Sequence, residues 1–367
     1  MQTASGAELP PFETLCQRLG REFPSIAKAR READNQVEWI GKLLEDACID
    51  LGDTLTLVVF GSLARREATS RSDVDWTLLV DGPVDAVHVK VASKVRDILA
   101  DAKLAEPGAS GTFGTLASSH EIVHHIGGLD DTNRNMTRRL LLLLESRAIG
   151  DNSVRSRVIR AVLDRYIFWG RGLPGTGDPR LRVPRFLLND VVRYWRTMAV
   201  DYAAKKWEQD DKKWALRNAK LRVTRKMTFV KGLLLCFDCE LFPSESPWCE
   251  VDLPGKFWDD IERWLAAGCE VLVEETPIDL LCRTLSRLKL DDIAIELLNS
   301  YDDFLSVVDD VQKRKELENL SFETANDNAT FSKIRNEIGN QFGDSLAKLF
   351  FTECPQLSEL TQKHGVF

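Results

Sequence analysis

The sequence predicts an α/β protein: a small strand-containing module over about residues 51–150, then an all-helical domain. Three observations lead there. Short β-branched apolar runs bounded by turn residues fall in the first 150 residues. Beyond a stretch rich in glycine and proline, "GRGLPGTGDPRLRVP" (170–184), the apolar residues recur at helical spacing. The chain has 367 residues, 44% of them hydrophobic, enough for two or three domains with their own cores.

The elements follow in order. Residues 1–50 form an N-terminal helical segment, in which "FETLCQRLGREF" and "QVEWIGKLLEDACIDLG" space their apolar residues by three and four and Gly52 supplies a stop. "TLTLVVF" (54–60) reads as a strand ended by Gly61-Ser62, and "DVDWTLLV" (73–80) as a second strand closed by "DGP". "DAVHVKVASKVRDILADAKL" (85–104) is a helix. One later strand is expected at 120–126, between glycines. "TNRNMTRRLLLLLESRAIG" (132–150) is a helix apolar on every side, hence buried, with Asp131 or Thr132 at its start, Gly150 at its stop, and Arg138, Arg139, Glu145 and Arg147 toward its ends. Residues 151–184 are a connecting helix and linker, and 185–367 the C-terminal helical domain.

Bulk properties narrow the function. The opening "MQTASGAELPPFETL" has neither a basic start nor an apolar stretch, and no apolar run approaches the ~20 residues of a membrane span, so a cytoplasmic protein is expected. The eight cysteines are scattered through apolar segments and read as reduced core residues. Cys236 and Cys239 form a CxxC, but no second pair or nearby histidine completes a four-ligand site. Net charge is −8, yet residues 185–231 carry thirteen Lys/Arg against five Asp/Glu, a local +8 that leaves −16 for the rest. Such a patch suits an anionic small molecule; an acidic chain is a poor partner for a long nucleic acid, whose binding depends on many phosphate contacts.

The chemistry concentrates in "VVFGSLARREATSRSDVDWTLLV" (58–80). Side chains alternate along a strand, so Asp73 and Asp75 share a face about 7 Å apart at Cα. Two carboxylates that close repel, and burial without compensation is costly. A divalent cation removes the difficulty, since Mg²⁺ takes one or two carboxylates plus substrate phosphate. Upstream, Gly61 permits close backbone approach, and the Ser62 hydroxyl with neighbouring N–H groups makes a phosphate cradle where strand turns to helix.

"GSLARREATSRSDVDWTLLV" resembles the GS-x-DxD signature of the nucleotidyltransferase superfamily typified by DNA polymerase β. The Arg-bearing loop and "TRRLLLLLESRAIGD" are similar to bacterial protein-modifying uridylyltransferases and related nucleotidyltransferases. The likeness covers roughly residues 54–151. It implies a small mixed sheet with flanking helices, two Mg²⁺ ions, and in-line attack on an NTP α-phosphate with pyrophosphate leaving. Gly61 and Ser62 would hold the triphosphate, and Asp73 and Asp75 the metals.

The family usually adds a third acid that activates the attacking hydroxyl. Glu121 is best placed for it, opening the strand expected at 120–126, with Asp130 and Asp131 as alternatives and a missing third acid also open. His120, His124 and His125 lie beside it, as a general base or as packing groups. Arg65, Arg66 and Arg71 either neutralise triphosphate charge or are solvated. Polar stripes recur at Asn189, Arg193 and Arg196 and again at Arg217, Lys220 and Thr224; they are solvated faces, or, where a helical domain closes the cleft, nucleotide contacts, Arg217 and Lys220 above all. Tyr194, Trp195, Trp207 and Trp214 serve as core anchors or as a surface for a base. The expectation is a Mg²⁺-dependent enzyme moving NMP from an NTP to an acceptor, whether protein, small molecule or nucleotide. The alternative is a catalytically silent nucleotide sensor or partner-binding protein, and a third reading is an aminoglycoside-type resistance enzyme.

Overall fold

The computed structural model describes residues 9–69, 72–104, 112–168, 183–208, 213–245 and 258–365, with residue 168 and the segments 205–208 and 258–262 as backbone only. Arg71 and most of the 170–184 stretch lie outside these residues, as does the Trp207 side chain. The architecture is mostly helical around one four-stranded mixed sheet. The strands are β1 (Leu55–Phe60), β2 (Trp76–Val80), β3 (Thr115–Ser118) and β4 (Ser146–Ile149), in the order β3-β2-β1-β4. β1 runs antiparallel to β2, with Val59 opposite Trp76, and to β4, with Leu57 opposite Ile149. β2 and β3 are parallel, Leu78 facing Leu116.

Both faces of the central strands are buried, and alternation sorts them into two cores. Leu57, Val59, Val74, Trp76, Leu78 and Val80 pack with Ala33, Val37 and Ile40 of helix Pro24–Asp46 and Val95 of helix Ala86–Asp101. Val58, Phe60, Leu79 and Ala117 belong to the larger core, which continues through Leu140–Leu144 into the helices beyond residue 150. Asp73 and Asp75 share parity with Leu79, so they point toward that second side, where the C-terminal helices lie.

Three sequence expectations are corrected. The second strand begins at Trp76 rather than at 73, although Phe60 N–H donates to Asp75 C=O at 2.8 Å and keeps the preceding residues extended beside β1. The strand expected at 120–126 is instead β3 at Thr115–Ser118 followed by a short helix, Ser119–His124. Ser118 explains the switch: its side chain accepts from His120 N–H at 3.2 Å, an N-cap that turns the chain out of the sheet. The helix read over 132–150 stops at Leu144, and residues 146–149 form β4. Thr132 is its N-cap, accepting from Asn135 N–H, and Leu140–Leu144 are buried on every side as expected. Farther on, within the C-terminal helical region, the chain breaks at Val223 into helices Trp214–Arg222 and Thr224–Leu241.

Cys236 and Cys239 are buried, burial holds the Cys236 thiol well above its ordinary range, and no disulfide is needed to explain either. No helix among the described residues is long and apolar enough to cross a membrane.

Candidate active site

β1 ends at Phe60, and the chain turns at once into the one-turn helix Gly61–Ala64. Gly61 holds φ +64°, a left-handed conformation that residues with a side chain adopt at a cost. A Cβ there would sit 3.3 Å from Asp75 Oδ2. The turn and the carboxylate are therefore in contact, with no side chain between them. Gly61→Ala is expected to cost about 1–2 kcal/mol of stability from the backbone alone and to crowd the Asp75 carboxylate; thermal melts of the variant and of the parent measure the loss.

Gly61, Ser62, Asp73 and Asp75 line one cleft of about 380 Å³, between the sheet edge and the C-terminal helices. Val74 is buried between an exposed Asp73 and a half-buried Asp75, the alternation that places both carboxylates on one side. Burial first, then the charges of Asp73 and Glu145, push the Asp75 carboxyl up to about 7, against the opposing pull of Arg225 and Lys220.

The basic side comes from the helical region. Lys220 closes helix Trp214–Arg222, Arg225 opens the next helix, and both line the cleft with Arg134 and Arg314. Burial brings Lys220 down to about 8; Asp73 opposes it, while Arg314, Arg225 and Arg65 add to it. Tyr194, Phe304 and Leu305 supply apolar walls.

Several sequence candidates stand elsewhere. Glu121 is exposed on the short helix after β3 and does not line the cleft, since the strand meant to carry it is absent. Asp131 is buried against the fully buried Arg139, which donates to it at 3.1 Å and to Asp190 at 3.1 Å, so neither the N-cap nor the third-acid reading holds for it. Arg193 joins that cluster through Asp131, while Asn189 and Arg196 are exposed. Arg217 is half-buried and outside the cleft lining, and Trp195 stacks on Phe229 at 5.2 Å. Arg66 and Arg147 both pair with Asp34, tying the post-turn loop and β4 to helix Pro24–Asp46. His120, His124 and His125 cluster with ring centroids 5.0 and 5.5 Å apart, away from the cleft.

Arg65 reaches the cleft, but its guanidinium is engaged. Nε donates to Glu67 at 2.8 Å and Nη1 to Glu145 at 2.5 Å, and all three residues are buried. Tyr301 donates its hydroxyl to Glu67, and Thr228 donates to Glu145 at 2.8 Å, so two C-terminal helices join the network. Glu145 is the acid the sequence reading passed over. It looked like a helix-end residue, and its signal was the strand after it: "SRAI" pairs with β1 and brings position 145 to the end where Gly61 turns. Arg65 and Thr228 both bond Oε2, leaving Oε1 with no donor among the described residues.

No group of three or more His, Cys, Asp or Glu side chains stands in metal-holding geometry among the described residues. The pair Asp73 and Asp75 remains, two hard oxygen donors of the kind that hold Mg²⁺ together with substrate phosphate. A scan against protein-family models finds no match, and neither does a search of curated proteins.

Proposed function

We propose that this chain is a Mg²⁺-dependent nucleotidyltransferase that moves an NMP from an NTP to an acceptor and releases pyrophosphate. One observation carries the reading: the glycine of the strand-end turn lies against the carboxylate of Asp75, so a phosphate cradle and a carboxylate pair meet in one cleft. Neither feature by itself selects this chemistry. Together they match what phosphoryl transfer requires, which is positioning and charge stabilisation around a polyphosphate.

Asp73 and Asp75 suit a divalent cation because they are oxygen donors whose mutual repulsion such an ion relieves. A bound ion would neutralise phosphate charge as the bond from α-phosphorus to the leaving pyrophosphate oxygen breaks. Gly61 gives the phosphates close access to backbone, and Ser62 offers a hydroxyl. Lys220 and Arg225, facing the carboxylates from the helices, hold the departing negative charge. Glu145 takes the place proposed for Glu121, with Oε1 available to accept the acceptor's proton and Oε2 fixed by Arg65 and Thr228. On this assignment Glu121→Gln leaves turnover unchanged, whereas Glu145→Gln lowers it by about 10²-fold or more, a typical general-base effect; initial rates of pyrophosphate release check both.

A second reading, a nucleotide-binding protein without turnover, is favoured by the restraint on Glu145, whose Oε2 is shared between an arginine and a threonine inside a buried network. Incubation with Mg²⁺ and each labelled NTP separates the two. Pyrophosphate release that disappears in Asp73→Ala and Asp75→Ala supports the enzyme, whereas saturable binding without turnover supports the sensor. A panel of small hydroxylated acceptors, aminoglycosides included, and of protein acceptors then identifies what is modified.

A further inference from the structure

A second cavity, about 430 Å³, opens on the other side of helix Trp214–Arg222 from Lys220. Its lining comes from four separate elements. Tyr202 comes from helix Arg185–Glu208; Trp214, Asn218 and Arg222 come from one stripe of the shared helix; Phe322 belongs to a later short helix; and Arg335 lies in the turn Ile334–Ile338. Its volume falls within the range of small-molecule sites.

Two arginines, Arg222 and Arg335, line this cavity, and no acid is among its described lining residues. Arg222 Nε donates to Asn218 Oδ1 at 2.8 Å, and Arg335 Nη1 donates to Asn326 Oδ1 at 2.5 Å. Neither arginine has a carboxylate partner among the described residues. Burial, with Arg335 nearby, lowers the Arg222 pKa, the mark of a cation held where it is not neutralised. Asn218 is itself held, donating from Nδ2 to the Tyr202 hydroxyl at 2.8 Å. Arg222 cannot swing freely, because a Cβ at Gly339 would lie 3.4 Å from its Cδ: backbone packs against its stem. Each guanidinium has five N–H donors in a rigid fork, and one asparagine oxygen occupies one of them.

The rest of the lining is aromatic. Trp214 is buried beneath, edge-on to Phe322 at 5.1 Å, and Phe322 is 44% exposed. Tyr202 stands on another side, its ring 6.4 Å from Trp214. Paired arginines recognise phosphate through bidentate hydrogen bonds, and exposed aromatic faces recognise planar rings. A site with both selects one ligand class over inorganic anions.

We propose that this cavity is a binding site for a nucleoside phosphate, separate from the cleft at Asp73 and Asp75 and independent of a divalent ion. Phosphate oxygens sit between Arg222 and Arg335, and the base lies against Phe322 and Tyr202. The site does not depend on the nucleotidyltransferase reading, which is tested by pyrophosphate release in Mg²⁺.

The test is equilibrium dialysis of the full chain with labelled ATP in EDTA, where carboxylate-bound metal contributes nothing. The expected result is saturable binding, weakened about tenfold or more in Arg335→Gln and in Arg222→Gln, the effect of removing a charge-assisted hydrogen-bonding group. Phe322→Ala weakens ATP binding but not competition by inorganic phosphate, and phosphate competes at least tenfold less well than ATP. Arg335 is exposed, so its variant keeps the test valid if Arg222→Gln fails to fold. The proposal is overturned if no saturable binding appears below about 1 mM, if Arg335→Gln binds like the parent, if binding is lost in Lys220→Gln instead, or if phosphate competes as well as ATP.

Discussion

Under the proposed nucleotidyltransferase activity, replacing Asp75 with alanine is expected to reduce pyrophosphate release by at least about 10²–10³-fold, the scale seen when one group that stabilises transition-state charge is removed. The same position predicts an opposite effect on the fold. Asp75 is half-buried beside two other carboxylates, and its carboxyl is raised from 3.8 to about 7. A raised folded-state pKa means that the folded protein holds this proton more tightly than the unfolded chain does. Its contribution is fully present below pH 3.8 and is lost as pH rises through about 7. Above that, the ionised carboxylate burdens the metal-free fold. Asp75→Asn keeps the shape and removes the charge, so in EDTA at pH 8 it is expected to be more stable than the parent by about 1–3 kcal/mol, discounting the shift for partial exposure. The difference should shrink toward pH 5. Denaturant titrations at the two pH values measure it, and a variant less stable than the parent at pH 8 contradicts the electrostatic account.

Arg65→Met is expected to produce the largest loss of stability, about 3–5 kcal/mol, because it leaves Glu67 and Glu145 buried without their cation. An arginine serving only as a solvent-facing phosphate ligand would cost little. Desolvation pulls the Arg65 guanidinium down, but the charges of Glu67 and Glu145 outweigh it and hold the group well above its ordinary value, firmly charged. The triple variant Arg65→Met, Glu67→Gln, Glu145→Gln should recover much of the loss, since it replaces unpaired charges with groups that remain neutral. Urea unfolding of the parent, the single variant and the triple variant distinguishes a buried ion network from a binding residue. If the single variant is as stable as the parent, the network does not hold this part of the fold.

How much of this was legible depends on the range of the cause. Gly61-Ser62 and the alternating Asp73 and Asp75 were readable because turn chemistry and strand periodicity act over a few residues. The all-round apolar Leu140–Leu144 announced its own burial for the same reason. Glu121 misled because a short segment with apolar residues only at Ile122, Val123 and Ile126 fits a strand or a helix equally well, and Ser118 decided between them by capping. β4 was hidden because four residues after a strong helix carry little pattern, and their pairing with β1 is a contact across about ninety positions. Arg65 looked like an active-site cation because its partners Glu67, Glu145, Tyr301 and Thr228 are scattered over the chain.

Local order in the amino acids was enough to determine an α/β module followed by helices, and a strand-end turn followed by two carboxylates on one side. Only the folded chain decided which acid joins them, which basic helix ends face them, and that Arg222 and Arg335 approach one another at all. The physical reason is that alternation and capping are settled by neighbours within a few residues. Ion pairs and cavities depend on side chains far apart in sequence, whose proximity is set by how the two hydrophobic cores pack on either face of the sheet.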